Sequence, residues 1–154
     1  MRHERGATLI ETALVAPLLF LLIFGLVEFG RYIAMTSTVT NASREATRYA
    51  SGTGTGSGTE PRYADCDGMR DAAQQFGVIG QPNDGQITLE YDEGPGTAVF
   101  LTCSGSSVAA SSIETGDRIV ATVSVPYQPV APLVGQFLGP ITITVQTIRT
   151  INKG

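Results

Sequence analysis

Few residues in this chain are of a type and spacing that could do chemistry, and the most suggestive lie at Arg5-Gly6-Ala7-Thr8-Leu9-Ile10-Glu11. Glu11 is the one charged residue between Ala7 and Val27. A carboxylate near the centre of a bilayer costs about 2.5–3.5 kcal/mol on insertion scales, and less toward the interface. Such a residue calls for a partner. Cutting the chain between Gly6 and Ala7 would create one, an α-amino group on Ala7, i to i+4 from Glu11 on a helix. That cation could also reach the Glu11 of a neighbouring helix, and pairing would then set the register between the two. The plainer alternative is a carboxylate that snorkels to the cytoplasmic headgroups.

The other reactive types are badly placed for catalysis. His3 is the single histidine and lies before the apolar run. Without it no base serves a Ser or Cys nucleophile, and no G-x-S-x-G elbow occurs. Asp65/Asp67 and Asp92/Glu93 could pair as carboxylates, but both pairs sit in turn-like contexts and read as solvated surface. Asp65-Cys66-Asp67-Gly68 opens like a calcium loop, yet no Glu follows at the required spacing. Ser51–Thr59, SGTGTGSGT, has no following Lys-Ser/Thr and no preceding strand, so it is a linker by composition and not a phosphate loop. The expectation is a chain without catalysis, cofactor or metal site.

The elements that must hold these residues begin with a membrane span. Ala13–Val27, ALVAPLLFLLIFGLV, is unbroken and apolar; from Ala7 it makes 21 residues. At about 1.5 Å per residue that is roughly 32 Å of helix, enough for a hydrocarbon core of about 30 Å. Pro17 is tolerated in a membrane helix. A cleaved secretory signal fits less well, because no small-x-small site closes the run. Arg2, His3 and Arg5 precede the span and only Arg31 follows closely, which places the N-terminus in the cytoplasm. Residues beyond 30 then lie in an oxidising compartment. Two cysteines 37 positions apart, Cys66 and Cys103, read there as a disulfide, the alternative being two free buried thiols.

Composition supports one membrane-anchored domain. The chain has 154 residues, of which 16% are charged, with 18 glycines. Mean hydropathy is still +0.11, so apolar residues are concentrated at one place. The net charge is −4. No basic surplus exists to release phosphate counterions, which argues against nucleic acid as a partner.

Past the span, Tyr32, Met35, Val39, Ala42, Ala46 and Tyr49 recur every three or four residues. One helix is therefore expected from Ala7 to Tyr49, with an apolar seam that packs on its own domain or, alternatively, between subunits. Residues 65–76 read as a short helix capped by Asp65 or Asp67 and ended by Gly77. Four strands follow, around Ile87–Tyr91, Val99–Cys103, Ile119–Val125 (ended by Pro126) and Ile141–Val145. The fold expected is α+β: a long N-terminal helix and a small antiparallel sheet resting on its seam. Val130–Leu138, VAPLVGQFL, is apolar for a loop and reads as a core plug, or as a surface for the membrane or a partner.

A Gly before a hydrophobic helix with Glu at the fifth position beyond it resembles a type IV prepilin signal. The fuller pattern is Arg5-Gly6, Glu11, Ala13-Leu14-Val15, Pro17, Glu28-Phe29-Gly30-Arg31 and Ala42 through Arg48-Tyr49-Ala50. It resembles the TadE-like pseudopilins of tight-adherence pilus systems over residues 5–51. Val123–Thr147 is similar, more loosely, to the family's C-terminal strand, proline-rich turn and strand. Thr12 departs from the aromatic residue that often follows the family's Glu.

The resemblance implies a leader of residues 1–6 removed by a prepilin peptidase and a structural role in assembling or anchoring the pilus. With the readings above, the chain divides into that leader, a helix over 7–50, a linker at 51–59 and an extracytoplasmic, pilin-like α+β domain over 60–154. The partners implied are the cytoplasmic membrane, the prepilin peptidase, and other pilins and pilus assembly proteins. The reading from a different class is an unprocessed, signal-anchored envelope binding module.

Overall fold

The computed structural model describes residues 2–75, 80–130 and 139–153, with side chains from Leu9 onward. Helix α1 spans Arg2–Ala50 and passes Pro17 without a break. It begins five residues before the expected Ala7. It closes with Ser51 N–H on the Thr47 carbonyl at 3.0 Å and Gly52 N–H on the Tyr49 carbonyl at 3.1 Å.

The chain divides into two compact units, Met1–Ile33 with Tyr127–Ile141, and Ala34–Pro126 with Thr142–Gly154. In the first, the large apolar side chains of α1 point outward: Leu18 is 68% exposed and Leu22 64%. Water does not sustain an apolar surface of this extent, whereas lipid does. The helix is long and apolar enough to cross a membrane, the one such helix among the described residues. Of the predicted loop Val130–Leu138, Val130 is described and exposed; the rest lies outside the described residues.

In the second unit the expected seam is buried at Met35, Val39, Ala42 and Ala46. Ser43 and Thr47 are buried beside it. The Ser43 hydroxyl donates to the Ala121 carbonyl at 2.9 Å, and Thr47 bonds back to the Arg44 carbonyl, so neither is an orphaned polar group. Helix α2 is Cys66–Gln75, with Met69 and Ala73 buried; Phe76 and Gly77 of the expected helix end lie outside the described residues. The strands are β1 (Ile87–Asp92), β2 (Val99–Thr102), β3 (Arg118–Tyr127) and β4 (Ile141–Thr150). They form an antiparallel sheet in the order β2-β1-β3-β4. Strand β1 pairs with β3 from Ile87↔Val123 to Asp92↔Arg118.

Two strand details depart from expectation. Strand β3 continues through Pro126 to Tyr127. Pro126 lies beyond Val123, the last β3 residue paired with β1, so no bond on that side needs its missing N–H. Strand β2 ends at Thr102, short of Cys103, and a bulge between Tyr91 and Asp92 shifts its register. The composition of Ser51–Thr59 suggests a free linker, but the loop is hydrogen-bonded: Gly56 N–H donates to the Glu60 carbonyl at 2.8 Å and Arg62 N–H to the Gly54 carbonyl at 3.2 Å.

Candidate functional site

Three places hold the candidate residues. At the N-terminus, Gly6, Ala7 and Glu11 lie on one stretch of α1. Helix geometry sets Glu11 about one turn, roughly 6 Å, beyond Ala7. The Glu11 side chain is exposed on the helix surface. A cut after Gly6 would therefore leave an amine and a carboxylate on the same face of α1, within ion-pair reach.

The second place is at the end of the apolar run, inside the first unit. Glu28 is 7% exposed, a buried carboxylate one residue past Val27. Tyr127, 5% exposed, donates its hydroxyl to Glu28 Oε1. Val130 N–H donates to Glu28 Oε2 at 3.1 Å, and Arg31 Nη1 lies 3.4 Å from Oε1. A buried charge with one neutral, one backbone and one cationic donor is paid for by bonds rather than left orphaned. Tyr32 meets the Tyr127 ring edge-on at 5.6 Å, and the Arg31 guanidinium stands 5.7 Å from the same ring. Burial, with Glu28 as hydrogen-bond acceptor and charge, pushes the Tyr127 hydroxyl up to about 12. Beside this cluster is an apolar cavity of about 370 Å³ lined by Gly25, Phe29, Tyr32, Pro129 and Ile141.

The third place is Asp65-Cys66 in the second unit. Cys66 and Cys103 form a disulfide, Cα atoms 5.8 Å apart, as their count and compartment suggest. It joins the first residue of α2 to the residue after β2. Asp65 caps α2 through Gly68 N–H at 3.0 Å. Its other oxygen accepts from the Tyr49 hydroxyl at 2.7 Å, Ser57 N–H at 2.7 Å and the Ser57 hydroxyl at 2.8 Å. Burial alone would raise this carboxyl; the bonds from Gly68, Tyr49 and Ser57 outweigh it and hold Asp65 below the usual aspartate range. Tyr49 is pushed up to about 12 by burial and by the same carboxylate.

The acidic pairs are thus not both solvated surface. Asp65 and Asp92 are buried, while Asp67 and Glu93 are exposed. Asp92 takes Arg118 Nε at 2.6 Å and Nη2 at 2.8 Å, a two-pronged pair that lowers its carboxyl. Turn-like sequence hid both partners, because Arg118 and Tyr49 are 26 and 16 positions away. Glu28 was legible as the end of the apolar run; its partner Tyr127, 99 positions on, was not. Among the described residues no group of three or more His, Cys, Asp or Glu is placed to hold a metal.

A family model described as TadE-like protein matches residues 6–48. The matched residues include Gly6, Ala7, Glu11, Glu28 and Arg31, and exclude Cys66, Cys103 and the more loosely similar stretch Val123–Thr147. No curated protein and no solved structure matches the chain.

Proposed function

We propose that this chain, TadE-like over residues 6–48, is a membrane-anchored pseudopilin: a minor pilin-type structural subunit in the assembly of a tight-adherence pilus. One observation carries the reading. The family match coincides with α1, whose outward-facing apolar side chains suit lipid and whose first turns hold Gly6, Ala7 and Glu11 together. On this reading a prepilin peptidase cuts after Gly6. The N-terminus stays on the cytoplasmic side, the span holds the subunit in the cytoplasmic membrane, and the sheet domain is extracytoplasmic. The new Ala7 amine, protonated below its ordinary value near 8, pairs with Glu11 of its own or a neighbouring pilin helix. The role is positional, with no catalysis, cofactor or metal.

The test separates assembly from folding. Glu11→Ala removes a carboxylate exposed on α1 and far along the chain from the buried core. Membrane level and disulfide state should match wild type, since losing the charge eases insertion. Recovery in crosslinked complexes with other pilus components should fall. Wild-type recovery would reduce Glu11 to a snorkelling charge and remove the register role.

A further inference from the structure

Glu28 directly follows Val27, so at a rise of about 1.5 Å per residue it marks the end of the apolar run. Whatever bonds to Glu28 is held at that level. Besides Arg31 on α1 itself, the Tyr127 hydroxyl and Val130 N–H of the same unit bond to it. Val130 nonetheless presents its side chain outward, 69% exposed, and Phe29, the residue after Glu28, is 62% exposed. The apolar cavity at this level is lined by Glu28, Phe29, Tyr32, Tyr127, Pro129 and Ile141. Between Arg118 and Arg149 the sequence holds no charged residue. An exposed apolar patch whose nearby charges, Glu28 and Arg31, are already paired with each other is unfavourable in water and favourable at a bilayer boundary.

We propose that Tyr127–Val130 and Ile141, latched to α1 through Glu28, form a second membrane contact, an interfacial one that takes lipid. Val130, Pro129 and Ile141 enter the acyl-chain boundary, and the Tyr32 and Tyr127 rings lie at headgroup level, where amphipathic aromatics concentrate. The Arg31 guanidinium sits at the same level and suits an anionic headgroup phosphate. Lipid is the occupant because the patch is continuous with the apolar run of α1, carries aromatics, and has Arg31 three residues past Glu28, beyond the end of that run. The inference rests on the reading of α1 as membrane-spanning.

The test uses the full chain in vesicles of phosphatidylethanolamine and phosphatidylglycerol, with the native disulfide intact. Single nitroxide labels are placed at Val130→Cys, at Leu18→Cys within the span and at Glu93→Cys on exposed surface. Collision with oxygen, which partitions into acyl chains, is compared with collision with a water-soluble nickel chelate. The Val130 label should favour oxygen over nickel at least three-fold more than the Glu93 label, with a depth between Glu93 and Leu18. A Val130 label with the Glu93 ratio, beside a deep Leu18 label, overturns the interfacial contact and leaves the span standing. Shielding of the Val130 label from both reagents means protein covers the patch, and also overturns it. A water-like Leu18 label removes the span and the contact together.

Discussion

Glu28 and Tyr127 stand 99 positions apart in sequence, yet the tyrosine hydroxyl donates to the glutamate carboxylate and to the Glu28 carbonyl, at 3.2 Å for the latter. Both residues are buried. A carboxylate at the end of the apolar run of α1 is thereby held by the last residue of β3. The end of the apolar run, the end of β3 and Val130 become one local structure.

Removing either partner should loosen that loop. Hydrogen bonds to charged groups contribute about 1.5–3 kcal/mol. Glu28→Ala deletes the acceptor of Val130 N–H, so exchange of the Val130 amide should accelerate at least about ten-fold, the equivalent of about 1.4 kcal/mol. Tyr127→Phe should produce a smaller acceleration. Hydrogen exchange on the detergent-solubilised chain measures both, and unchanged Val130 protection in Glu28→Ala would contradict the latch.

Stability should fall at both ends of the pH scale. The folded carboxyls of Asp65 and Asp92 lie below the ordinary value of 3.8. Their contribution is complete above that value and is lost as pH falls through the lower folded values. Tyr49 and Tyr127 are raised from 10.0 to about 12. Their contribution is complete below pH 10 and is lost as pH rises toward 12. Thermal melts from pH 2 to 12 should show a plateau between these limits. Asp65→Asn should flatten part of the acid limb while lowering the plateau, and an acid limb identical to wild type would contradict the Asp65 assignment.

The glycines of the loop after α1 and of α2 should differ sharply. A Cβ built on Gly56 would stand 2.7 Å from the Asp65 Cβ, and one on Gly68 would collide with Asp65 and Tyr49. Gly58 has nothing within 4 Å. Gly56→Ala and Gly68→Ala should each cost about 1–3 kcal/mol through overpacking, whereas Gly58→Ala should stay within about 0.5 kcal/mol. Denaturant unfolding gives the ranking. Equal effects at Gly56 and Gly58 would mean the loop is a linker after all.

That contrast shows what sequence periodicity carries and what it does not. The α1 seam and the strand around Ile87–Tyr91 were legible because burial repeats with the period of the element, and Met35, Val39, Ala42, Leu89 and Tyr91 are buried as that period requires. Composition read the loop as a linker and could not show its hydrogen bonds, which come from its own backbone and from one carboxylate, Asp65, that gathers Tyr49, Ser57 and Gly68 from three segments. Glycine there answers a close approach, and composition alone cannot tell close approach from flexibility. The same limit hid Asp92–Arg118 and Glu28–Tyr127, whose partners are fixed by strand pairing and by the path of the chain.

The disulfide should be complete and should matter. Cys66 and Cys103 close a 37-position loop, for which the chain-entropy model gives about 3–4 kcal/mol. Protein taken from the oxidising compartment should show no alkylatable thiol by non-reducing mass analysis. Cys66→Ser with Cys103→Ser should lower the unfolding midpoint. Two alkylated cysteines in native protein would contradict it.

The central claim is that this chain is a processed pilin-type subunit, and the mass of its N-terminus tests it most directly. In membranes of a host carrying the matching prepilin peptidase, the protein should begin at Ala7, with residues 1–6 gone. Gly6→Leu should retain the leader, because a bulky side chain cannot take glycine's place beside the cut. A wild-type chain that keeps Gly6 and everything before it in that host would contradict the account and favour an unprocessed, signal-anchored binding module.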